Sequence, residues 1–340
     1  MLEYPFDTVP APGKTLEVAP GVFWLRMPLP MSLDHINLYL LEDFDGWTVV
    51  DTGIRGQETQ ALWQQIFDEC LKDKPITRVL CTHMHPDHTG QAGFLSNHFK
   101  APLLMSYGEY YQARMMHYSM QEQGSWHTSD FFLRGGITQS LMDDMSQARS
   151  NFAPEPTDTP MPRSYLRLKD GDILTIGHIQ WQVLVGSGHS PEHVCLYAPE
   201  ARLLISGDQI LPIITSNVSV HPTEPEADPM SEWLSSHERF KQLIPDETLI
   251  LPAHNTPFYG AKERLDELIA HHEHRMQIIW DGCAEPTPAI DLLPALFERK
   301  LENHTLFMAL GEAIAHIHCL MKRGQLDRDG EALVYRYTRV

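Results

Sequence analysis

The run Cys81-Thr82-His83-Met84-His85-Pro86-Asp87-His88-Thr89-Gly90 constrains this chain more than any other stretch. It follows the apolar segment Ile76–Leu80 and precedes a helix-like stretch at 91–99, so the spacing predicts a strand-to-helix turn. Three imidazoles and a carboxylate crowded into His83–His88 would desolvate and repel one another in a bare loop. A divalent cation removes that cost, because neutral imidazole and carboxylate are the donors that borderline metals prefer. In an extended segment His83 and His85 project to one side. Asp87 and His88 then sit on the turn after Pro86 and reach a neighbouring position, which predicts two adjacent metal sites. A histidine-rich surface turn is the plainer alternative, but random clustering rarely meets metal-ligand spacing between a buried strand and a helix.

The same device recurs along the chain. Strand-like runs at 36–41 and 47–50 lead to Asp51-Thr52-Gly53, and apolar residues at helical spacing follow at 57–71. Strands at 173–176 and 179–184 deliver Gly186-Ser187-Gly188-His189-Ser190-Pro191-Glu192-His193. A strand at 201–205 closes on Ser206-Gly207-Asp208, and one at 249–251 enters Pro252-Ala253-His254-Asn255. One strand ending in a ligand-type residue is weak evidence; the ordered set is strong. Asp51 is placed to orient a ligand imidazole, a service metal sites commonly need. The alternation suits a layered αβ fold with helices outside the sheets.

In this order the motifs HxHxDH, GHSPxH, SGD and LPxH resemble those of the metallo-β-lactamase superfamily, and the resemblance extends along most of the chain. It implies an α+β fold, the αββα sandwich, here with a helical insertion and a small C-terminal domain. It implies that His83, His85 and His189 hold one metal, that Asp87, His88 and His254 hold a second, and that Asp208 bridges them. Asp87, His88 and Asp208 would then be the catalytic residues, with Asp51 and His193 supporting the ligands from behind. Glu192 stands where the family usually has glycine. Flavodiiron relatives carry glutamate where this chain has His85, so zinc is the metal expected, with iron or manganese as alternatives at such nitrogen and oxygen donors. Two cations sharing a water lower its pKa, and the resulting hydroxide attacks an electrophilic carbonyl or phosphorus.

A chain of 340 residues with 42% hydrophobic and 21% charged residues can bury a large core and is globular. No apolar run approaches the roughly 20 residues that span a membrane. The start, Met1-Leu2-Glu3-Tyr4-Pro5, lacks a basic flank and an apolar core, so no secretory signal is expected. Five scattered cysteines without a CxxC favour free thiols and a cytoplasmic location. The formal net charge of −19 repels phosphate backbones and anionic lipid, which makes nucleic acid and membrane surfaces poor partners.

Domain limits follow: a catalytic domain at 1–280, with a helical cap inserted at about 105–163, and a C-terminal domain at 285–340. The insert is rich in methionine and aromatics, among them Tyr107, Tyr110, Tyr111, Met115, Met116, Tyr118, Met120, Trp126, Phe131, Phe132, Met142 and Met145. Helix-core packing and an adaptable apolar wall over the metal cleft are equally good readings of that set. On the second reading His35, Tyr110, Met115 and Trp126 line a substrate pocket, and residues 151–162 form the loop returning to the body.

Beyond His254 a charged helix is expected at 261–280, its His271, His272, His274 and Arg275 solvated rather than metal-binding. The Pro-rich stretch 284–294 reads as a linker. Two amphipathic helices at 296–301 and 305–323, then a hairpin through Asp329-Gly330, give an order similar to the winged-helix tail of one glyoxalase II-like branch of the family. Residues 285–340 hold seven Lys/Arg against eight Asp/Glu, too few cations for a DNA-binding wing. Packing against the catalytic body or a sister subunit, as in a homodimer, is the better reading.

The resulting expectation is a dinuclear metal-dependent hydrolase of a small molecule with an apolar part, acting on an ester or thioester such as an acyl-CoA or a glutathione thioester. A lactonase and a phosphodiesterase or endoribonuclease would use the same metals. An iron persulfide dioxygenase would need only one, and a non-catalytic binding protein would not need all seven ligands.

Overall fold

In the computed structural model residues 1–71, 74–119, 125–150, 161–298, 300–301 and 304–340 are described. Met120, most of the 151–162 return loop and Arg299 lie outside them. The strands are β1 (Thr15–Ala19), β2 (Val22–Pro28), β3 (His35–Glu42), β4 (Trp47–Val50), β5 (Ile76–Leu80), β6 (Leu103–Met105), β7 (Leu166–Arg167), β8 (Ile173–Ile176), β9 (Ile179–Gly186), β10 (His193–Ala198), β11 (Leu203–Gly207), β12 (Leu249–Pro252), β13 (Leu326–Asp329) and β14 (Arg336–Arg339). The helices are α1 (Gln57–Glu69), α2 (Pro86–Thr89), α3 (Ala92–Phe99), α4 (Tyr107–Ser119), α5 (Trp126–Arg134), α6 (Gln139–Ser150), α7 (Pro229–Leu243), α8 (Ala261–Gly282), α9 (Ala289–Leu296) and α10 (His304–Lys322).

The chain divides into two compact units, one of residues 1–119, 157–216 and 240–265, the other of residues 120–156, 217–239 and 266–340. The first holds two sheets, in strand order β1-β2-β3-β4-β5-β6-β7 and β12-β11-β10-β9-β8. Pairing is antiparallel through β4 and parallel from β4 to β7. In the other sheet only β11 and β12 run parallel.

Strand periodicity explains the layers. Val22, Trp24, Tyr39, Leu41, Val50 and Leu80 face one way and pack against Trp181, Val183, Leu196, Ile205 and Leu251 of the other sheet. Their neighbours Leu25, Met27, Leu38, Leu40, Val49 and Val79 face outward and are covered by Trp63, Ile66, Ala92 and Leu95 from α1 and α3. With both faces buried, β4 reads as a continuous apolar run, and β10 is buried at all six positions. This is the layered α+β architecture expected from the sequence.

The second unit contains α5, α6, α9, α10, the β13–β14 hairpin and parts of α7 and α8. Two expectations fail here. Residues 284–294 are not a linker, and the first C-terminal helix is α9, not 296–301. Pro288 sits at the position before the first turn, where a missing N–H costs nothing. Ala289, Leu292, Leu293 and Leu296 bury one helical face, enough to hold the helix through the internal Pro294. The charged helix α8 is also not solvated all round, since Leu268, His272, Met276, Ile279 and Cys283 form a buried stripe along it. Cys70 is half-buried, Cys81, Cys195, Cys283 and Cys319 are buried, and none of the five forms a disulfide.

Candidate metal centre

The segments after β4, β5, β9, β11 and β12 deliver the polar residues of one end of the first unit. Cys81 N–H donates to Leu104 O at 3.1 Å, which holds the start of the histidine loop against β6. Pro86 then opens α2, whose short turn directs His88 back into the protein. Asp51, directly after β4, has φ of 62°, a left-handed conformation that aspartate tolerates better than most residues. The N–H of Asp51 donates to Leu80 O at 2.8 Å, and its turned carboxylate meets the histidine loop.

Two clusters of donor atoms form there: His83, His85, His189 and Asp208, and Asp87, His88 and His254. In the first, His83 Nε2 lies 2.8 Å from His85 Nδ1 and 3.3 Å from His189 Nε2. Asp208 Oδ2 lies 3.4 Å from His189 Nε2 and 3.8 Å from His83 Nε2. In the second, Asp87 Oδ2 is 3.6 Å from both His88 Nε2 and His254 Nε2. Asp208 reaches this group too, with Oδ2 3.6 Å from His88 Nε2 and Oδ1 3.3 Å from His254 Nε2. Donors about 2.1 Å from a tetrahedral ion stand roughly 3.4 Å apart, so both clusters have the spacing of ligand sets. Two atoms facing the centre, His88 Nε2 and Asp208 Oδ1, are buried without a hydrogen-bond partner. A cation supplies what these orphaned acceptors lack, and the residues present fit one in each cluster.

The far side of three of the imidazoles is engaged by a named partner. His88 Nδ1 lies 2.8 Å from Asp51 Oδ2, His254 Nδ1 lies 2.8 Å from the His35 carbonyl, and His83 Nδ1 lies 3.1 Å from Thr82 Oγ1. A proton on each Nδ1 turns the Nε2 lone pair inward. Asp51 also takes the Thr82 N–H and hydroxyl, at 2.7 and 3.0 Å, on Oδ1. Burial opposes charge on Asp208, yet His254 and His88 outweigh it and hold the carboxyl well below its usual range. Burial likewise opposes charge on His88, but Asp51, Asp87 and Asp208 raise its pKa. His83, with fewer acidic neighbours, is pushed down by burial and by His88.

His193 lies behind the first cluster, stacked on His83 with 4.7 Å between ring centres. Its Nε2 accepts the Asp208 N–H at 3.1 Å, and burial lowers its pKa to about 3. A Cβ on Gly207, whose φ is 52°, would fall 2.5 Å from the His193 ring, so glycine is required there.

Of the residues expected at a pocket, His35 contributes chiefly through its backbone. Its carbonyl holds His254, while its Nε2 accepts the Asn255 N–H at 2.9 Å. Tyr110 is buried, stacked on Tyr165 with 3.9 Å between ring centres, and its hydroxyl donates to Pro162 O. Met115 is exposed on α4. Trp126 is exposed and belongs to the second unit, where it lines a cavity of about 520 Å³ with Arg134, Arg328 and Tyr335.

Three supports have a role that the sequence alone does not assign, although the family resemblance places the strand of Asn37 near the site. Asn37 donates from Nδ2 to Pro252 O and Asn255 O, both at 2.9 Å, tying β3 to the end of β12 beside His254. Thr82 joins Asp51 to the histidine loop. Glu109, at the start of α4, is fully buried and accepts backbone N–H groups from Met84 and Glu192. Its burial pushes the carboxyl up to about 7. Only a polar residue at the head of an aromatic helix signalled it.

A third cluster, His272, Glu312 and His316, lies in the second unit. Arg275 Nη1 donates to the Glu312 carboxylate at 2.6 Å and His272 Nδ1 lies 3.0 Å from His316 Nε2, so ion pairing and hydrogen bonding within this buried polar core engage these groups.

Among the described residues no helix is long and apolar enough to cross a membrane. Residues 31–254 match the family model of the metallo-beta-lactamase superfamily, and residues 276–340 match that of the metallo-beta-lactamase-like C-terminal domain. A beta-lactamase domain protein from Burkholderia ambifaria has a crystal structure similar over the whole chain and 98% of its own, at 43% identity and a TM-score of 0.90. The probable metallo-hydrolase YqjP of Bacillus subtilis is 22% identical over 88% of this chain and 92% of its own length. The acyl-coenzyme A thioesterase MBLAC2 of Bos taurus is 26% identical over 74% of this chain and 84% of its own. With the first family model matching more than half of its length, the chain belongs to the metallo-beta-lactamase superfamily and is a metallo-hydrolase.

Proposed function

We propose that this protein hydrolyses an ester or thioester bond in a small molecule, with two divalent ions, zinc first among them, held by His83, His85, His189, Asp87, His88, His254 and Asp208. The observation that carries the reading is the placement of Asp208, one oxygen toward His189 and the other toward His254. A carboxylate shared in this way would serve as ligand to an ion in either cluster. Ions bound there would activate water near neutral pH and polarise the scissile carbonyl.

The chain's own contribution is orientation and proton handling. The inward-facing Nε2 atoms of His83, His88, His189 and His254 would be the donors to the ions. Asp87 has 19% of its side chain exposed, against 11% for Asp208, and as the more accessible carboxylate it would orient the attacking water and take its proton. No serine or cysteine nucleophile is needed, and Cys81 beside the site is buried and pushed up by burial, away from the reactive thiolate.

The likeness to an acyl-coenzyme A thioesterase supports the thioester choice. The net charge of −19 counts against the long phosphate backbone of a nucleic acid as substrate. Hydrolysis assays on acyl-CoA thioesters, acyl-glutathione thioesters, lactones and aryl phosphodiesters by the zinc-loaded protein test it. Turnover of a thioester at least tenfold above the other classes is expected; turnover of the phosphodiester alone would replace this reading with phosphodiesterase activity.

A further inference from the structure

Glu109 is fully buried but belongs to neither donor cluster. One carboxylate oxygen accepts the N–H of Met84 at 2.8 Å, between His83 and His85. The other accepts the N–H of Glu192 at 2.7 Å, between His189 and His193. Glu192 answers in kind: its carboxylate accepts the Gly108 N–H at 2.7 Å, and its carbonyl accepts the Ser106 hydroxyl at 2.7 Å. Gly108 is in the first turn of α4, where N–H groups lack helical partners and an anion is stabilised. The two glutamates thus clasp each other through the main chain.

We propose that Glu109 is a positioning residue for the His83, His85 and His189 half of the metal centre, with Glu192 as its counterpart. The proposal rests on the dinuclear reading above. The loops bearing those three histidines are separate in sequence, and the Glu109 carboxylate joins them by accepting one N–H from each. Both donors point at oxygens, so both atoms act as acceptors, which a carboxyl group provides and an amide does not. A glutamine would turn its NH₂ group toward one of the two N–H groups and push that loop away. The Asp87, His88 and His254 half hangs on other supports, the Asp51 carboxylate and the His35 carbonyl, and stays in place. The clasp also gives a physical reason for a glutamate at 192: with glycine there, Gly108 N–H would lose its acceptor.

The test is a Zn²⁺ titration of the metal-free protein against a chromophoric chelator, for wild type, Glu109→Gln, Glu109→Asp and His83→Ala. Wild type binds two equivalents. Glu109→Gln weakens one equivalent about 10–100-fold and leaves the other within about twofold. Glu109→Asp, which keeps both acceptors on a shorter arm, weakens the same equivalent by less. Melting of the metal-free variants separates this from general loosening, because a merely structural role lowers both affinities together. Two unchanged affinities in Glu109→Gln and Glu109→Asp, or two lowered equally, would overturn the proposal. A wild type that binds no zinc, or a His83→Ala variant that loses none, would instead overturn the dinuclear reading.

Discussion

Asp51 and His88 are both buried, and the carboxylate Oδ2 of one lies 2.8 Å from Nδ1 of the other. The pair joins the end of β4 to the turn after β5, so strand pairing sets the orientation of the imidazole. Asp51→Asn keeps the size but offers one acceptor where the carboxylate offered two, with Thr82 also drawing on it. The expected result is a 10–100-fold loss of affinity for one zinc equivalent and a similar fall in kcat/KM, read by metal titration and steady-state kinetics.

Asp208 touches both clusters, so its loss affects both. Asp208→Ala is expected to lower zinc content from two equivalents to one or fewer and to cut hydrolysis by more than about a thousandfold. His254→Ala, which touches only one cluster, is expected to retain the other equivalent. Elemental analysis of the purified variants separates the two outcomes.

Gly207 is fixed by His193. An added Cβ would strike the imidazole at 2.5 Å in a backbone conformation that alanine rarely adopts. Gly207→Ala is expected to destabilise the fold by about 1–3 kcal/mol and to lower metal affinity through Asp208, the next residue. Denaturant melts with and without zinc measure both effects.

The buried core of the second unit has its own pH dependence. His316 Nδ1–H donates to the Glu312 carbonyl at 2.7 Å, so its Nε2 accepts the Nδ1–H of His272 at 3.0 Å. Burial lowers the pKa of His272 to about 2 and of His316 to about 4, from an unfolded value near 6.5. The unfolded chain therefore binds more protons below pH 6.5, and stability falls as the pH drops from 7 toward 4. At pH 5 the loss is about 2 kcal/mol per imidazole. The double variant His272→Leu, His316→Leu is expected to show a shallower fall between pH 7 and 5 in urea melts.

The candidate centre was legible because each of its residues ends a strand in a local pattern. HxHxDH, GHSPxH, SGD and LPxH can be read without knowing what packs beside them. Glu109 could not be read so: its partners lie 25 and 83 residues away, and both are backbone N–H groups that leave no mark on the sequence. His272 reads as solvated from sequence because Glu273 and Arg275 beside it hide the inward stripe Leu268, His272, Met276 and Ile279. Helix α9 was hidden by its prolines, which read as breaks although burial of Leu292, Leu293 and Leu296 outweighs them. Strand pairs β3–β4 and β8–β9 were plain from alternating apolar runs and turn residues. The short β6 and β7, of three and two residues, were not.

The most direct test of the account is zinc content and thioester hydrolysis measured on the same preparation, wild type beside Asp208→Ala. Two zinc equivalents per chain in the wild type, with acyl thioester turnover lost in the variant together with the metal, is the result predicted. A metal-free or single-iron wild type, or an Asp208→Ala variant that still hydrolyses thioesters at the wild-type rate, would contradict it.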